Sequence, residues 1–199
     1  MNIYIVRHGE TDCNKNNICY GWYDCPINER GINQAENLGR FFSDIKIDKI
    51  ISSSLMRAKM TAEIINNSLN VPIEFDNSIR EIYFGDWENI PIGDMHKRDP
   101  INTRLWHDDC TKANIPGGEQ FNTFYSRVAY GFDRIVSENR SKDILIVSHG
   151  GTISIILSHI TGAGAKGFWR FRTIQECYTK IVSDNDGFYI ERINIPIGL

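Results

Sequence analysis

Two histidines, each delivered by an apolar run into glycine, are the residues of this sequence best placed to do chemistry: Ile3-Tyr4-Ile5-Val6-Arg7-His8-Gly9 near the start and Ile144-Leu145-Ile146-Val147-Ser148-His149-Gly150-Gly151 farther along. An imidazole can attack an electrophile or carry protons, and the guanidinium beside it offers a fixed fork of donors that suits phosphate oxygens. Arg7 supplies that fork in the first stretch. Arg57 supplies another from the first turn of an expected helix, where a cation opposes the helix dipole and a bound anion would reverse the problem. Glu81 lies among aromatic residues in Arg80-Glu81-Ile82-Tyr83-Phe84-Gly85-Asp86-Trp87-Glu88, and apolar surroundings can keep a carboxyl group protonated, as a general acid requires. Singly these features are weak, since Arg-His-Gly is more often a solvated turn and a lone arginine more often sits on the surface. Together they can make a phosphoryl-transfer site without metal. His8 would be the nucleophile, Arg7 and Arg57 would bind the phosphoryl oxygens, His149 would add a donor, and Glu81 would protonate the departing oxygen. The two arginine charges would also lower the His8 pKa and keep its lone pair free.

Elements must bring these residues together across more than a hundred positions. Runs of β-branched and aliphatic residues predict buried strands at Ile3–Val6, Lys49–Ser52, Val71–Phe75 and Ile144–Val147, with a hairpin near Tyr178–Ser183 and Phe188–Ile193. In an open α/β sheet, ligands bind beyond the carboxyl ends of the strands, where His8 and His149 would stand. Helices are expected from Asn28 to about Ser43, after Ser52-Ser53-Ser54 as cap with Leu55, Ala58, Ala62 and Ile65 buried, and from Phe121 through Ile135. A further helix from about Thr152 to His159 would turn the N–H groups of Gly150, Gly151 and Thr152 toward an anion. Asp12–Ile27 reads as one long loop without a period, and loops of that size are usually functional. Asn14, Tyr20, Gly21, Trp22 and Tyr23 are its distinctive residues, with plugging of the loop onto the core as strong a reading as substrate contact for the last two. The irregular stretch of about 90–118 reads as a cap, partly short helix, whose Arg104, Trp106 and His107 are candidate substrate contacts.

The 199 residues suffice for one α/β domain with an inserted cap and are few for two. A net charge of -3, with acids and bases mixed, gives no broad cationic field for nucleic acid or anionic lipid. No apolar run approaches a bilayer span, and no basic leader precedes the first strand, which predicts a cytoplasmic protein with no membrane partner. Five cysteines without a Cys-x-x-Cys pair point to reduced thiols rather than a disulfide framework or zinc ribbon, and Cys13, Cys19 and Cys25 find only His8 nearby.

The motifs in order resemble the histidine phosphatase superfamily, the phosphoglycerate mutase-like fold. They are Arg7-His8-Gly9-Glu10-Thr11 with Asn14, Asn28-x-x-Gly31-x-x-Gln34-Ala35, Ser52-Ser53 with Leu55-x-Arg57-Ala58 and Thr61-Ala62, Arg80-Glu81 with Phe84-Gly85-x-Trp87-Glu88, Pro116-Gly117-Gly118-Glu119, and Ser148-His149-Gly150-Gly151. The resemblance implies a three-layer sandwich, a mixed but mostly parallel sheet flanked by helices. It also implies a transient phosphohistidine on His8 with no other cofactor and no metal, a phosphate pocket of Arg7, Arg57 and His149, and Glu81 as proton donor. Asn14 and Gly150 belong to the phosphate contacts in that reading, and a small phosphorylated metabolite is the partner. Asn89, Ser154 and Ser54 depart from the family pattern without removing a catalytic group. Gly21-Trp22-Tyr23-Asp24 is similar to the phosphoglycerate mutases, whereas Phe84-Gly85-x-Trp87-Glu88 and Pro116-Gly117-Gly118-Glu119 are similar to the phosphatase branch that includes α-ribazole phosphatases. Mutases of the family share a longer insertion with adjacent arginines, while Arg98 and Arg104 here are separated in a shorter segment. Phosphomonoester hydrolysis is therefore the expectation, with mutase activity and a non-catalytic phosphate-binding module as the alternatives.

Overall fold

The structure, a computed structural model, describes residues 1–197. The apolar runs form a six-stranded sheet. β1 (Asn2–Arg7), β3 (Lys49–Ser53), β4 (Ile73–Asp76) and β6 (Ile144–Ser148) lie parallel in the order β4-β3-β6-β1. The hairpin β7 (Cys177–Asp184) and β8 (Gly187–Pro196) continues the sheet beyond β1 in antiparallel sense. Successive strand residues point to opposite faces. Ile3, Ile5, Ile51, Ile144 and Ile146 pack on one side with residues of α6 (Phe121–Glu138) and α7 (Gly150–Ile160). Tyr4, Val6, Ile50, Leu145 and Val147 pack on the other with α2 (Glu29–Phe42) and α3 (Met56–Leu69). A sheet covered on both faces needs strands that are apolar throughout, which is why these runs do not alternate. The result is the expected three-layer α/β sandwich.

Register fixes the site. Arg7 stands beside Ser148, and Ser52 beside Val147, so the chain leaves β1, β6 and β3 at one level. The His8 N–H continues the ladder by donating to the Ser148 carbonyl at 2.9 Å.

Several expected boundaries move. Asp12–Ile27 is not one loop: it holds the short helix α1 (Asp12–Lys15) and β2 (Ile18–Cys19), which pairs with β5 (Ile90–Pro91). Thr11 and Asn14 close a reciprocal capping box at its start, and the strand's partner lies too far along the chain to leave a local pattern. Ser52 and Ser53 belong to the end of β3, and neither they nor Ser54 cap α3, which begins at Met56; its N–H is met at 2.7 Å by the Asp24 carboxylate. β4 starts at Ile73 rather than Val71, and α7 at Gly150 rather than Thr152.

The 90–118 segment contains α4 (Ile92–Arg98), α5 (Pro100–Asp108) and a single 3-10 turn. It buries Met95, Trp106, Cys110, Ala113 and Ile115 in the apolar cluster shared with α6 and α7. All five cysteines are free thiols. Among the described residues no helix is long and apolar enough to cross a membrane.

Asn28 caps α2 as its sequence position suggests. Its Oδ1 accepts the Gly31 N–H at 3.0 Å, and its amide donates to Glu10 Oε1 at 3.1 Å, tying the helix to the segment after β1. Asn28→Ala is expected to lower stability by about 1 kcal/mol, read as a lower denaturant midpoint at unchanged slope.

Candidate active site

His8 is buried at the end of β1, and its Nδ1 lies 2.7 Å from the Gly9 carbonyl oxygen. A carbonyl only accepts, so Nδ1 carries the proton and Nε2 is left with its lone pair. The surrounding main chain is held from both helices of the adjoining layer. The Gly9 N–H donates to Thr61 Oγ1 on α3 at 3.0 Å, and the Glu10 N–H to Gln34 Oε1 on α2 at 2.8 Å. These contacts give roles to two polar residues of the sequence motifs, Gln34 and Thr61, the latter also donating its hydroxyl to the Arg57 carbonyl at 2.7 Å.

His149 leaves the adjacent strand with its ring centroid 5.3 Å from that of His8. Its Nε2 pairs with Ser53 Oγ at 2.7 Å, and its buried Nδ1 has no partner. If Ser53 donates to Nε2, the proton sits on Nδ1, the arrangement an oxyanion needs. Arg57 is wholly buried in the first turn of α3. It donates from Nη2 to the Gly21 carbonyl at 2.6 Å and from Nη1 to that of Tyr23 at 3.3 Å, while its Nε is unpartnered. Arg7 donates from Nη1 to the Thr173 carbonyl at 3.3 Å and likewise leaves Nε unpartnered. Buried polar atoms are almost always paired. Of the four unpaired ones among the described residues, three belong to Arg7, Arg57 and His149, and the fourth is Ser158 Oγ in α7. A tetrahedral oxyanion beside His8 would offer acceptors to those three side chains.

Burial, then the Arg57 and Arg7 charges, hold the His8 pKa well below its ordinary 6.5. Burial and Arg57 act in the same direction on His149, with His8 and Arg7 adding to them.

The Arg57 guanidinium lies over the Tyr20 ring, 4.6 Å from its centroid, and that ring meets His8 edge-on at 6.4 Å. Tyr20 OH pairs with Thr11 Oγ1 at 2.9 Å, and burial pushes the phenol up to about 12, so it stays neutral. Asn14 uses its Oδ1 on Thr11 and on the Gln175 amide, leaving its amide nitrogen without a hydrogen bond among the described residues. Gly150, first residue of α7, lies against Arg7: a side chain there would begin 3.7 Å from Arg7 Cζ. Gly21 has no such latitude, because a Cβ would stand 1.7 Å from the Ile82 carbonyl oxygen. Trp22 is partly exposed, stacks near Tyr83 with centroids 5.3 Å apart, and donates its indole N–H to the Glu81 carbonyl at 2.8 Å.

Glu81 is not in the apolar setting expected of it. Its Oε2 accepts the Gly151 N–H at the start of α7 at 2.9 Å, and its Oε1 the Ile82 N–H at 3.2 Å. The Gly151 N–H is therefore taken by Glu81 rather than turned to an anion. Glu88, the neighbouring carboxylate, is fully committed to structure, accepting the N–H groups of Gly21, Trp22, Tyr23 and Phe84 between 2.8 and 3.1 Å.

The three expected contacts from the 90–118 segment are not brought to this cluster. Trp106 is buried against Phe84, Trp87, Phe121, Phe168 and Trp169, as a core residue behind the Glu81 loop. Arg104 is exposed and paired with Asp108, and the His107 ring lies 5.8 Å from that of Trp169. Ser53, Thr173, Gln175 and Glu88 are supporting residues that the sequence reading did not assign to the site. Only Ser53 and Glu88 fall in motifs that could have pointed to them.

Residues 3–196 match the model of the histidine phosphatase superfamily (branch 1). The adenosylcobalamin/alpha-ribazole phosphatase of Escherichia coli (strain K12) is 32% identical over 181 residues, covering 91% of this chain and 89% of that protein. A Bacillus subtilis (strain 168) protein named uncharacterized phosphatase PhoE is 33% identical over 193 residues, covering 97% of this chain and 94% of its own. The crystal structure of the alpha-ribazole phosphatase from Shigella flexneri superposes with a TM-score of 0.92 at 32% identity, covering 100% of this chain and 99% of that one.

With both imidazoles neutral in the fold, acid acts on the unfolded chain first. Below pH 6.5 the unfolded histidines bind protons that the folded ones do not. Stability present above that pH is then lost as pH falls, by up to about 1.4 kcal/mol per pH unit for each histidine. Unfolding midpoints measured from pH 7 to 5 should fall more steeply for the wild type than for His149→Gln. Equal slopes would mean that His149 ionises within the fold.

Proposed function

The chain belongs to branch 1 of the histidine phosphatase superfamily, and on that premise we propose that it hydrolyses phosphomonoesters of a small metabolite through a phosphohistidine on His8. One observation carries the reading: buried, unpartnered nitrogens of Arg7, Arg57 and His149 belong to the side chains whose charges and ring lie nearest an imidazole with its Nδ1 already committed. His8 Nε2 attacks phosphorus, the bond to the ester oxygen breaks, and Glu81 gives that oxygen a proton. Water then attacks the phosphohistidine, Glu81 takes its proton, and His8 departs as neutral imidazole with release of inorganic phosphate. Arg7, Arg57 and His149 meet the charge on the equatorial oxygens, which is the main catalytic demand of phosphoryl transfer. Asn14 and Gly150 add contacts to the phosphoryl group, and Tyr20, Gly21 and Trp22 form the wall through which the ester group leaves.

Hydrolysis is favoured over mutase activity by the arginines of the 90–118 segment. Arg98 is exposed, and the Arg104 side chain, 80% exposed, is held by Asp108 rather than presented as half of a carboxylate clamp. The positive charge of the site comes from side chains, so the reaction as proposed needs no metal or organic cofactor. The names of the two α-ribazole phosphatases that the chain resembles make a phosphate ester of α-ribazole the first to try.

Rapid mixing with nitrophenyl phosphate should yield an acid-labile phosphohistidine that decays quickly in buffer, and His8→Ala should abolish it. Activity should survive EDTA, and vanadate should compete with substrate. Loss on chelation with recovery on adding a divalent metal would overturn the mechanism. A lasting phosphoenzyme that discharges only onto a phosphoglycerate would make the chain a mutase. Glu81→Gln should slow phosphorylation by an alkyl phosphate about 10²–10⁴-fold and by nitrophenyl phosphate far less, because nitrophenolate leaves without a proton.

A further inference from the structure

Glu81 sits on main chain that no regular element holds: residues 80–84 lie between the 3-10 turns Asn77–Ile79 and Gly85–Trp87. Buried carbonyl groups in such a stretch need donors from elsewhere. Arg127 on α6 supplies donors to two of them, Arg80 and Glu81, beside the Thr152 hydroxyl on the first at 3.0 Å and the Trp22 indole on the second at 2.8 Å. Arg127 donates from Nη1 to the carbonyls of Ser78 at 2.9 Å and Arg80 at 3.1 Å, and from Nη2 to that of Glu81 at 3.3 Å. Glu119 grips the same guanidinium at both oxygens, 2.9 Å from Nε and 2.8 Å from Nη2.

Glu119 also reaches the loop directly. Its N–H donates to the Tyr83 carbonyl at 2.8 Å, and the Asp86 N–H donates to the Pro116 carbonyl at 2.9 Å. The Pro116–Gly118 turn is pressed so closely on this loop that a Cβ on Gly85, at φ +51°, would stand 2.3 Å from the Pro116 oxygen and the Gly118 nitrogen. The Pro116-Gly117-Gly118-Glu119 motif, which touches neither histidine, thus forms the far side of the Glu81 loop.

We infer that Arg127, clamped by Glu119, is a positioning residue for proton transfer: it sets the main chain of Glu81 so that the carboxyl group reaches the departing ester oxygen from the start of α7. The inference rests on the phosphatase reading and on Glu81 as its proton donor. A general acid must be within hydrogen-bond reach of the atom it serves, and a shift of one ångström costs heavily in rate. The guanidinium fork meets the carbonyls of Asn77, Ser78, Arg80 and Glu81 while pairing with both Glu119 oxygens, more contacts than the three N–H groups of an ammonium can make. Binding of the phosphoryl group should not change in Arg127→Lys, which keeps the charge that bears on His149, because Arg7, Arg57 and His149 are held by hydrogen bonds to other groups.

The test follows His8 phosphorylation by rapid mixing with glycerol phosphate and with nitrophenyl phosphate. Arg127→Lys should slow the glycerol phosphate reaction by about tenfold or more and the nitrophenyl phosphate reaction by less than about threefold, a portion of the general-acid effect. Vanadate affinity should be unchanged. In a Glu81→Gln background Arg127→Lys should cause no further slowing, since the two act through one proton transfer. Glu119→Gln, which keeps oxygen and volume while removing the charge, should give the same selectivity at smaller size and serves if Arg127→Lys does not fold. Equal slowing of both substrates, or losses that multiply in the double variant, would overturn the inference and leave Arg127 a structural residue. Selectivity in Glu81→Gln but in neither clamp variant would overturn it while the phosphatase reading stands. Absence of selectivity in Glu81→Gln itself would overturn both this inference and the role of Glu81.

Discussion

Positive charge confined beyond the carboxyl ends of β1 and β3 is the constraint on which the rest of the molecule depends. Two guanidinium groups sit close to two neutral imidazoles, and among the described residues neither arginine is in an ion pair. Removing charge from water without a counter-charge is unfavourable by several kcal/mol, on the order usual for buried ions. The fold keeps the arrangement by using main-chain dipoles in place of carboxylates. Carbonyl groups of Gly21, Tyr23 and Thr173 hold the guanidiniums in position without neutralising them. A carboxylate partner would have satisfied Arg57 better and left nothing for an incoming anion.

That choice passes the demand outward. Carbonyls can hold Arg57 only if their own loop is fixed, and this loop has almost no regular structure. Glu88 fixes it, gathering the N–H groups of three consecutive residues, Gly21 to Tyr23, on one carboxylate. Asp24 ends the same loop by capping α3, the helix that carries Arg57. Guanidinium, carbonyls, amides and carboxylate therefore alternate in charge from the pocket to the surface. The Glu81 loop repeats the pattern with signs exchanged, its carbonyls held by Arg127 and Arg127 by Glu119. In both loops a motif residue with no plain chemical duty turns out to hold the backbone that presents one.

How much of this was legible in the sequence follows from the range of the forces involved. Continuous apolar runs gave away the central strands because a doubly covered sheet leaves no polar position, and Asn28 with its helix was readable because a cap acts across three residues. The pocket of His8, His149, Arg7 and Arg57 could be read because its residue types are costly to bury without a reason. Glu88 could not be separated from Glu81 by type, since the difference lies in which distant amides each carboxylate meets. Ser52-Ser53-Ser54 has the composition of a cap, yet Ser53 ends β3 and is taken by His149, and Asp24 supplies the cap instead. Trp106 looked like a substrate contact in an irregular segment, and only the aromatic residues around it show that the segment is part of the core.

The hairpin that follows residue 176 has a consequence for when the molecule can be built. β1 lies between β6 and β7, the Thr173 carbonyl receives Arg7, and the Gln175 amide donates to the His8 carbonyl at 3.3 Å. These contacts join positions 166 and 167 residues apart. A chain growing from a ribosome displays its first strand early, with both edges unpaired, and cannot close either until most of the remaining sequence has followed. Early exposure of an apolar strand with open edges invites pairing with the wrong chain. The nucleophile is thus made long before the strands that supply its surroundings, and the interval between those two events is where nascent chains of this protein are most exposed to misassembly.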